Sequence, residues 1–368
     1  MKLHNVLRTL SLITLSSAAA SAAPFLAIGD GAELFATGTV GVRADDNIFL
    51  ASAKTSDTIF EITPGLDMTF GKDSQLKGDL SLMDQFNSYA SHSSLNTNLF
   101  SGDFRSNYDD GKLKMGFSTG FHELNQNTVD NRGLTRRDVS NIAGNGETEI
   151  SQITSIGGGV TFTHTRYKRA GYGNLDDTTV PLNFYYKMTP KLDVSGGYQY
   201  RDFQTTVGKN STDNFFNVGA RGELSPLLTG QFRVGYLNRK ISSGSDFNML
   251  GLDGSLSYEL TPKTALQLTI SNGPDTSPQG QQQKNFAIGG SVNFAIDDQW
   301  SANAGLNYRA IDYGTRTDDY TEGTIGGAYV VNAYVKIVGA FVTRHNSSVL
   351  SGSQFTNNVF SLSGNLRY

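Results

Sequence analysis

From Leu182 to Arg201 the chain alternates apolar and polar residues, breaks once at Thr189-Pro190-Lys191, and then alternates again. Leu182, Phe184, Tyr186 and Met188 take every second place before the break. Leu192, Val194, Gly196, Tyr198 and Tyr200 do so after it. Between them stand Asn183, Tyr185, Lys187, Asp193, Ser195, Gly197 and Gln199. Successive side chains of a strand point to opposite faces, so this stretch is a hairpin with one greasy face and one polar face. Proline presets φ for the turn.

The unit recurs. Pro190, Pro226 and Pro262 follow one another at steps of 36 residues, and the next step lands on Asp297-Asp298 and a further one near Asn332. A step back reaches Thr154, beside Ser155-Ile156-Gly157-Gly158-Gly159, and earlier turns fit at Lys72-Asp73 and Asp109-Asp110-Gly111. A fixed period marks a repeated supersecondary unit, here one hairpin plus a returning loop. Counting the turns predicts eight hairpins, which with a lone first strand and a lone last strand gives about 18 strands; 16 results if the pair around Thr148–Tyr167 is misread. An even count brings both chain ends to one side. The stretch from Glu123 to Glu147 is polar and Asn/Gly/Arg-rich, and reads as one long connection.

Two architectures bury or cover such faces. In a soluble sandwich two sheets pack their apolar faces together. In a transmembrane antiparallel up-and-down β-barrel the apolar face meets lipid. Three features favour the barrel. Tight turns alternate with longer polar loops. Tyr186, Tyr198, Tyr200, Tyr258, Trp300, Tyr308 and Tyr368 sit near strand ends, where rings with a polar tip suit a membrane interface. The chain stops on an alternating strand with a terminal aromatic. No apolar run approaches the ~20 residues of a membrane helix, but barrel strands hide their lipid-facing residues at every second position.

The segment Met1–Ala22 reads as a secretory signal: Lys2 and Arg8, a short apolar core at Leu10–Leu15, then Ala20-Ser21-Ala22 as the cleavage site. Residues 23–368 are expected to form a single barrel domain in a bacterial outer membrane, with the surrounding lipid as its first partner. There is no cysteine, which excludes disulfides, thiolate metal sites and a thiol nucleophile. The formal charge of −4 lacks the basic stripe that nucleic acid requires. No Walker loop, dinucleotide fingerprint or zinc spacing occurs, and no cofactor or metal is expected.

The run Arg43-Ala-Asp-Asp-Asn-Ile-Phe49 resembles the D-N-I-F opening of the putative beta-barrel porin type 2 family. Ile59–Gly65 and the repeated Thr-Pro-Lys turns are similar to that family as well. The resemblance implies an outer-membrane barrel, considered alongside exopolysaccharide export systems, whose components would then be partners. It brings no catalytic residues. The last eight residues, SLSGNLRY, resemble the C-terminal signal by which the barrel assembly machinery recognises such proteins, with Tyr where Phe is commoner.

The polar face of the predicted strands carries Glu61, Asp67, Lys77, Asp79, Lys114, Lys187, Arg201 and Arg221. Further along it carries Glu223, Arg233, Asp253, Glu259, Arg309, Lys336 and Arg367. Charges persist there only if the lumen is wet or the charges pair. A barrel of this size is expected to hold an aqueous channel lined by mixed charge; the alternative is a packed, salt-bridged interior. Asp130, Arg132, Arg136, Arg137 and Asp138 fall in the long polar connection. A solvated surface loop suits that composition best; folded inward, the same charges would form a constriction that sets selectivity. Asp45-Asp46-Asn47 has oxygen ligands for Ca²⁺ but lacks the Gly and distal Glu of an EF-hand loop, and reads as a turn. His92-Ser93-Ser94 and His345-Asn346-Ser347-Ser348 offer Ser and His in sequence, not the spatial meeting of nucleophile, base and orienter, so no enzyme is expected. Two functions remain: a channel for polar solutes or a conduit for polysaccharide, and a non-conducting structural barrel whose outer loops bind a ligand.

Overall fold

The computed structural model describes residues 24–28 and 31–368, and within them leaves the side chains of Ile28, Asn131 and Arg132 undescribed. The proposed signal segment lies outside the described residues. The described chain is almost entirely extended. A three-residue strand β1 (Leu26–Ile28) precedes eighteen long ones: β2 (Ala32–Asp45), β3 (Asp57–Phe70), β4 (Leu76–Tyr89), β5 (Thr97–Asp109), β6 (Leu113–Thr128), β7 (Asn131–Ser151), β8 (Thr154–Tyr167), β9 (Leu175–Thr189) and β10 (Leu192–Thr205). The second half runs β11 (Ser211–Ser225), β12 (Leu228–Ile241), β13 (Phe247–Thr261), β14 (Thr264–Thr276), β15 (Gln282–Ala295), β16 (Trp300–Asp312), β17 (Thr317–Val330), β18 (Val335–Ser347) and β19 (Phe355–Arg367).

Each long strand pairs antiparallel with its sequence neighbours, and β19 pairs with β2 from Val359↔Asp45 to Arg367↔Thr37, which closes an up-and-down barrel of 18 strands. Strands of 13 residues or more exceed the ~9–11 that a tilted strand needs to cross a bilayer. Closure leaves no long edge unpaired in lipid. The short β1 lies on β2 at Leu26↔Leu34, next to the point where β19 runs out, so the start of β2 is covered too.

The local chemistry of the turns explains their regularity. Asp110 accepts hydrogen bonds from the backbone N–H of Leu113 (2.7 Å) and Lys112 (3.0 Å). Asp297 does the same for Trp300 and Gln299 (2.7 and 2.8 Å), and Asn332 for Tyr334 and Val335 (2.8 and 2.9 Å). Thr189 and Thr261 accept from Lys191 and Lys263 in the two Thr-Pro-Lys turns. A side chain that closes its own turn in this way needs no tertiary help.

The faces are inverted relative to a soluble protein. Ile325, Val40 and Val218 are 65, 64 and 63 % exposed, whereas Arg239 is 0 % and Asp213 4 % exposed. Large apolar side chains ring the outside, and charged ones fill the inside. An apolar belt of this extent has no place in water.

Two local expectations change. The stretch from Glu123 to Glu147 is not a loop: β6 and β7 run through it in register, from Leu113↔Thr148 to Gln126↔Thr135, and turn at 129–130. The alternation was invisible there because the hairpin outgrows the apolar belt. Beyond Phe121 and Ile142 its outward residues are Glu123, Asn125, Arg136 and Asp138, so neither face is greasy. The turn placed at Thr154 lies instead at 152–153, and Gly157, Gly158 and Gly159 belong to β8. Eight tight turns result at one rim and nine connections at the other, the β6–β7 connection being itself a two-residue turn.

Candidate channel lumen and mouth

All fifteen lumen-lining candidates have the inward parity of their strands. They divide by height. Near the tight turns, Glu223 meets Lys191 (2.6 Å), Lys187 meets Glu149 (2.8 Å) and Lys114 approaches Asp109 (4.0 Å). Lys77 and Glu259 are exposed and Lys336 is half-buried. Arg367 covers the ring of Phe35 at 4.1 Å. At mid-height Asp67 accepts from the Ser81 hydroxyl (2.7 Å) and Glu61 from Thr63 (3.3 Å), while Asp79 faces Arg105 in register. Arg233 pairs with Asp253 (3.0 Å).

One contact just above the tight turns joins strands four apart. Arg221 on β11 lies over the Tyr185 ring (3.4 Å) and binds Asp193 (2.9 Å), and its guanidinium also reaches Glu147 on β7 (2.5 Å). Four strand spacings are ~19 Å of wall at ~4.8 Å each, so this part of the barrel must curve tightly for the pair to meet.

Above that level the lumen is dense with charge. Arg239 gives Nε and one terminal nitrogen to the two oxygens of Asp213 (2.6 and 2.7 Å), and its other terminal nitrogen to the Asp275 carbonyl (2.8 Å) and Gln282 (2.9 Å). Arg201 binds Asp177 (2.8 Å), donates to the Pro274 carbonyl (3.1 Å) and approaches Asp275 (3.5 Å). These two arginines on β10 and β12 thereby hold the far end of β14 inward. The connection after it, 277–281, packs on the β10–β11 loop. Gly208 and Gly280 have φ of +94° and +78°, and a Cβ on Gly280 would lie 2.2 Å from the Val207 carbonyl oxygen. Only glycine fits both the backbone and the space. Gly173 of the β8–β9 loop donates to the Pro278 carbonyl (2.8 Å).

The β6–β7 hairpin completes the mouth. Its tip residue Asp130 binds Arg309 on β16 through both oxygens (2.9 and 3.4 Å). It also accepts from Gln283 on its carboxylate (3.4 Å) and from Gln279 on its carbonyl (3.3 Å). From β7 to β16 is nine strands either way round the ring, so the two roots are opposite each other. Eighteen strands ~4.8 Å apart and tilted ~40° enclose a ring roughly 36 Å across. Seven residues of β6 beyond Phe121 project ~23 Å at ~3.3 Å each, and the two side chains cover most of the remainder. The arm therefore spans the bore. Asn127 donates to the Ile48 carbonyl, and Leu134 packs on the buried group of Ile48, Ile59 and Tyr89, which ties the β2–β3 loop to the arm.

Of the other residues singled out in that stretch, Arg137 faces inward, is 3 % exposed, and donates to Gln126 (3.3 Å). Arg136 and Asp138 lie on the opposite face, bound to Glu123 (3.2 Å) and Lys168 (2.7 Å). The Arg132 side chain is outside the described residues. The Asp45-Asp46-Asn47 turn is filled by protein donors: Lys54 binds Asp46 (2.7 Å) and Asn357 binds Asp45 (2.6 Å). Among the described residues no cluster of three metal-ligating side chains occurs.

Sequence reading missed Asp177, Asp213, Arg239 and Asp275, the densest part of the interior. They share the parity of Arg201, Arg221 and Arg233. Inward apolar residues hid them: Phe203, Phe215 and Leu237 are buried on the lumenal side and break the alternation near the mouth.

Residues 208–368 match the family described as Putative beta-barrel porin 2, the one the sequence resembles. Among solved structures the fold is similar to OccAB2 of Acinetobacter baumannii, at 8 % identity and a TM-score of 0.50, over 92 % of this chain and 98 % of that one. It is equally similar to OccAB3 of the same organism, at 8 % identity and a TM-score of 0.50, over 93 and 100 % of the two chains. None of the curated proteins matches the sequence. The fold is that of a porin-like barrel.

Proposed function

We propose that this chain is a bacterial outer-membrane channel that passes small polar solutes. The observation that carries the reading is the inversion of faces in a closed ring: a belt of exposed apolar side chains outside, and accessible or paired charge inside. A barrel filled for stability alone has no use for this much buried charge, because well-packed apolar residues serve as well or better. Assembly through the terminal strand, Ser361–Tyr368, belongs to the same proposal.

A conduit for polysaccharide fits less well. Asp130–Arg309 crosses the mouth and Arg221–Glu147 cuts off one sector of the wall below it, and a polymer would have to part the first and pass beside the second. The bridged mouth is also what favours the second reading, a non-conducting barrel displaying its loops. Planar-bilayer conductance separates the two. The comparison is between the native chain and a variant in which residues 127–134 are replaced by Asn-Gly, a tight-hairpin sequence. Discrete steps that grow in the shortened variant support the channel; silence from both, with each shown folded by its altered gel mobility before boiling, refutes it.

A further inference from the structure

The contact between the arm and the opposite wall is a carboxylate held in a receptor made by the barrel. Arg309 and Gln283 stand on β16 and β15, and Gln279 on the loop before β15; all belong to the wall opposite the arm. Arg309 presents two terminal nitrogens to the two oxygens of Asp130, the planar match that guanidinium and carboxylate make best. Gln283, 2 % exposed, adds a third donor from a fixed position. The occupant, by contrast, arrives on a two-residue turn at the end of a hairpin rooted nine strands away.

A second observation concerns the arm's root. Arg137 is buried beneath the docked arm with no carboxylate within hydrogen-bonding distance among the described residues, and one of its terminal nitrogens has no partner there. Burial strips water from Arg137, and with only the longer-range charge of Asp130 to answer it, the loss of hydration opposes the state that buries it. The pair at the tip favours the docked arm and the cation at the root favours the undocked one. Docking is thus balanced, not locked.

We infer that Arg309 and Gln283 form a binding site for carboxylate-bearing solutes, that Asp130 is a tethered competitor for it, and that a solute carboxylate taking its place releases the arm from the mouth. The inference rests on the channel reading. A tethered ligand acts at an effective concentration of roughly mM, so a free carboxylate competes from that range upward.

The test uses the full chain in planar bilayers, with acetate replacing chloride at constant ionic strength and conductance corrected for the bulk solution. In the native chain the fraction of time open should rise severalfold in acetate. Asp130→Asn should be open in chloride and indifferent to acetate. Asp130→Lys together with Arg309→Glu should close again in chloride and stay closed in acetate, because the receptor now prefers a cation. Gel mobility before boiling confirms that each variant is folded. The inference is overturned if the native chain conducts equally in both salts, or if Asp130→Asn gates like the native chain. It is also overturned if the exchanged pair still answers to acetate. If no variant conducts, including the one with the shortened hairpin, the channel reading itself fails and takes the inference with it.

Discussion

Replacing Asp213 by Ala should be the most damaging single change in the lumen. Arg239 is 0 % exposed and gives Asp213 two hydrogen bonds of 2.6 and 2.7 Å. Each bond to a charged group contributes ~1.5–3 kcal/mol, and removing one partner of a buried pair costs ~3–5 kcal/mol because the other charge stays behind. The remaining partners of Arg239, the Asp275 carbonyl, the Thr276 hydroxyl and Gln282, are neutral and already engaged. A loss of about 4 kcal/mol results, roughly a thousandfold in the folding equilibrium at 1.4 kcal/mol per tenfold. Urea titration of the barrel in lipid, followed by loss of the fast-migrating folded band, measures it. Arg239→Met combined with Asp213→Leu should recover most of the loss, since no charge is then left unpaired. A single variant within ~1 kcal/mol of the native chain, or a double variant no better than the single, would refute the claim that this pair is closed to water.

Three other outcomes are expected of the same structure. Val218→Lys, in the middle of the apolar belt, should destabilise by ~2–4 kcal/mol, whereas Ser255→Lys on the inward face should change stability by less than ~0.5 kcal/mol; the same urea titration compares them. Gly280→Val should force apart the loops that meet at Gly208 and expose 206–210 and 277–281 to added protease, with the rest of the barrel intact. Asp297 is held below the usual carboxylate range by the N–H groups of Trp300 and then Gln299. Its turn is therefore stabilised above the unfolded carboxylate pKa and loses that support as pH falls through the depressed folded value. Asp297→Asn should flatten that acid limb in a pH series of urea midpoints.

The barrel was legible because lipid imposes one rule on every strand over its whole width. From Phe60 to Phe70 or Leu250 to Leu260 the outward residues are apolar without interruption, and the turns announce themselves through Asp, Thr and Pro. Above the belt the rule lapses. Arg136 and Asp138 satisfy the strand geometry of β7 as well as Ile142 does, but nothing in their chemistry says so. The partnership of Asp130 with Arg309 was beyond reach for a different reason. It depends on an arm crossing open space, and neither period nor propensity encodes where a hairpin lands. Arg239 was within reach: its parity was available from Arg233, and Leu237 between them diverted the reading.

The seam between β19 and β2 has a consequence for how the protein comes to exist. Every other pair of long strands joins neighbours in the chain, whereas Thr39 bonds Asn365 across 326 positions. Loop-closure entropy grows by ~0.6 kcal/mol per doubling of length, so this one joint carries roughly 2 kcal/mol more than a hairpin of ordinary size, and it cannot begin until β19 has been made. Its fastenings are spread along its length: Asn358 grips Asp46 at one rim, and Tyr368 exchanges backbone hydrogen bonds with Ala36 at the other. A polypeptide cut short of Phe355 would keep seventeen sound staves and still be an open trough, with two raw margins facing the hydrocarbon.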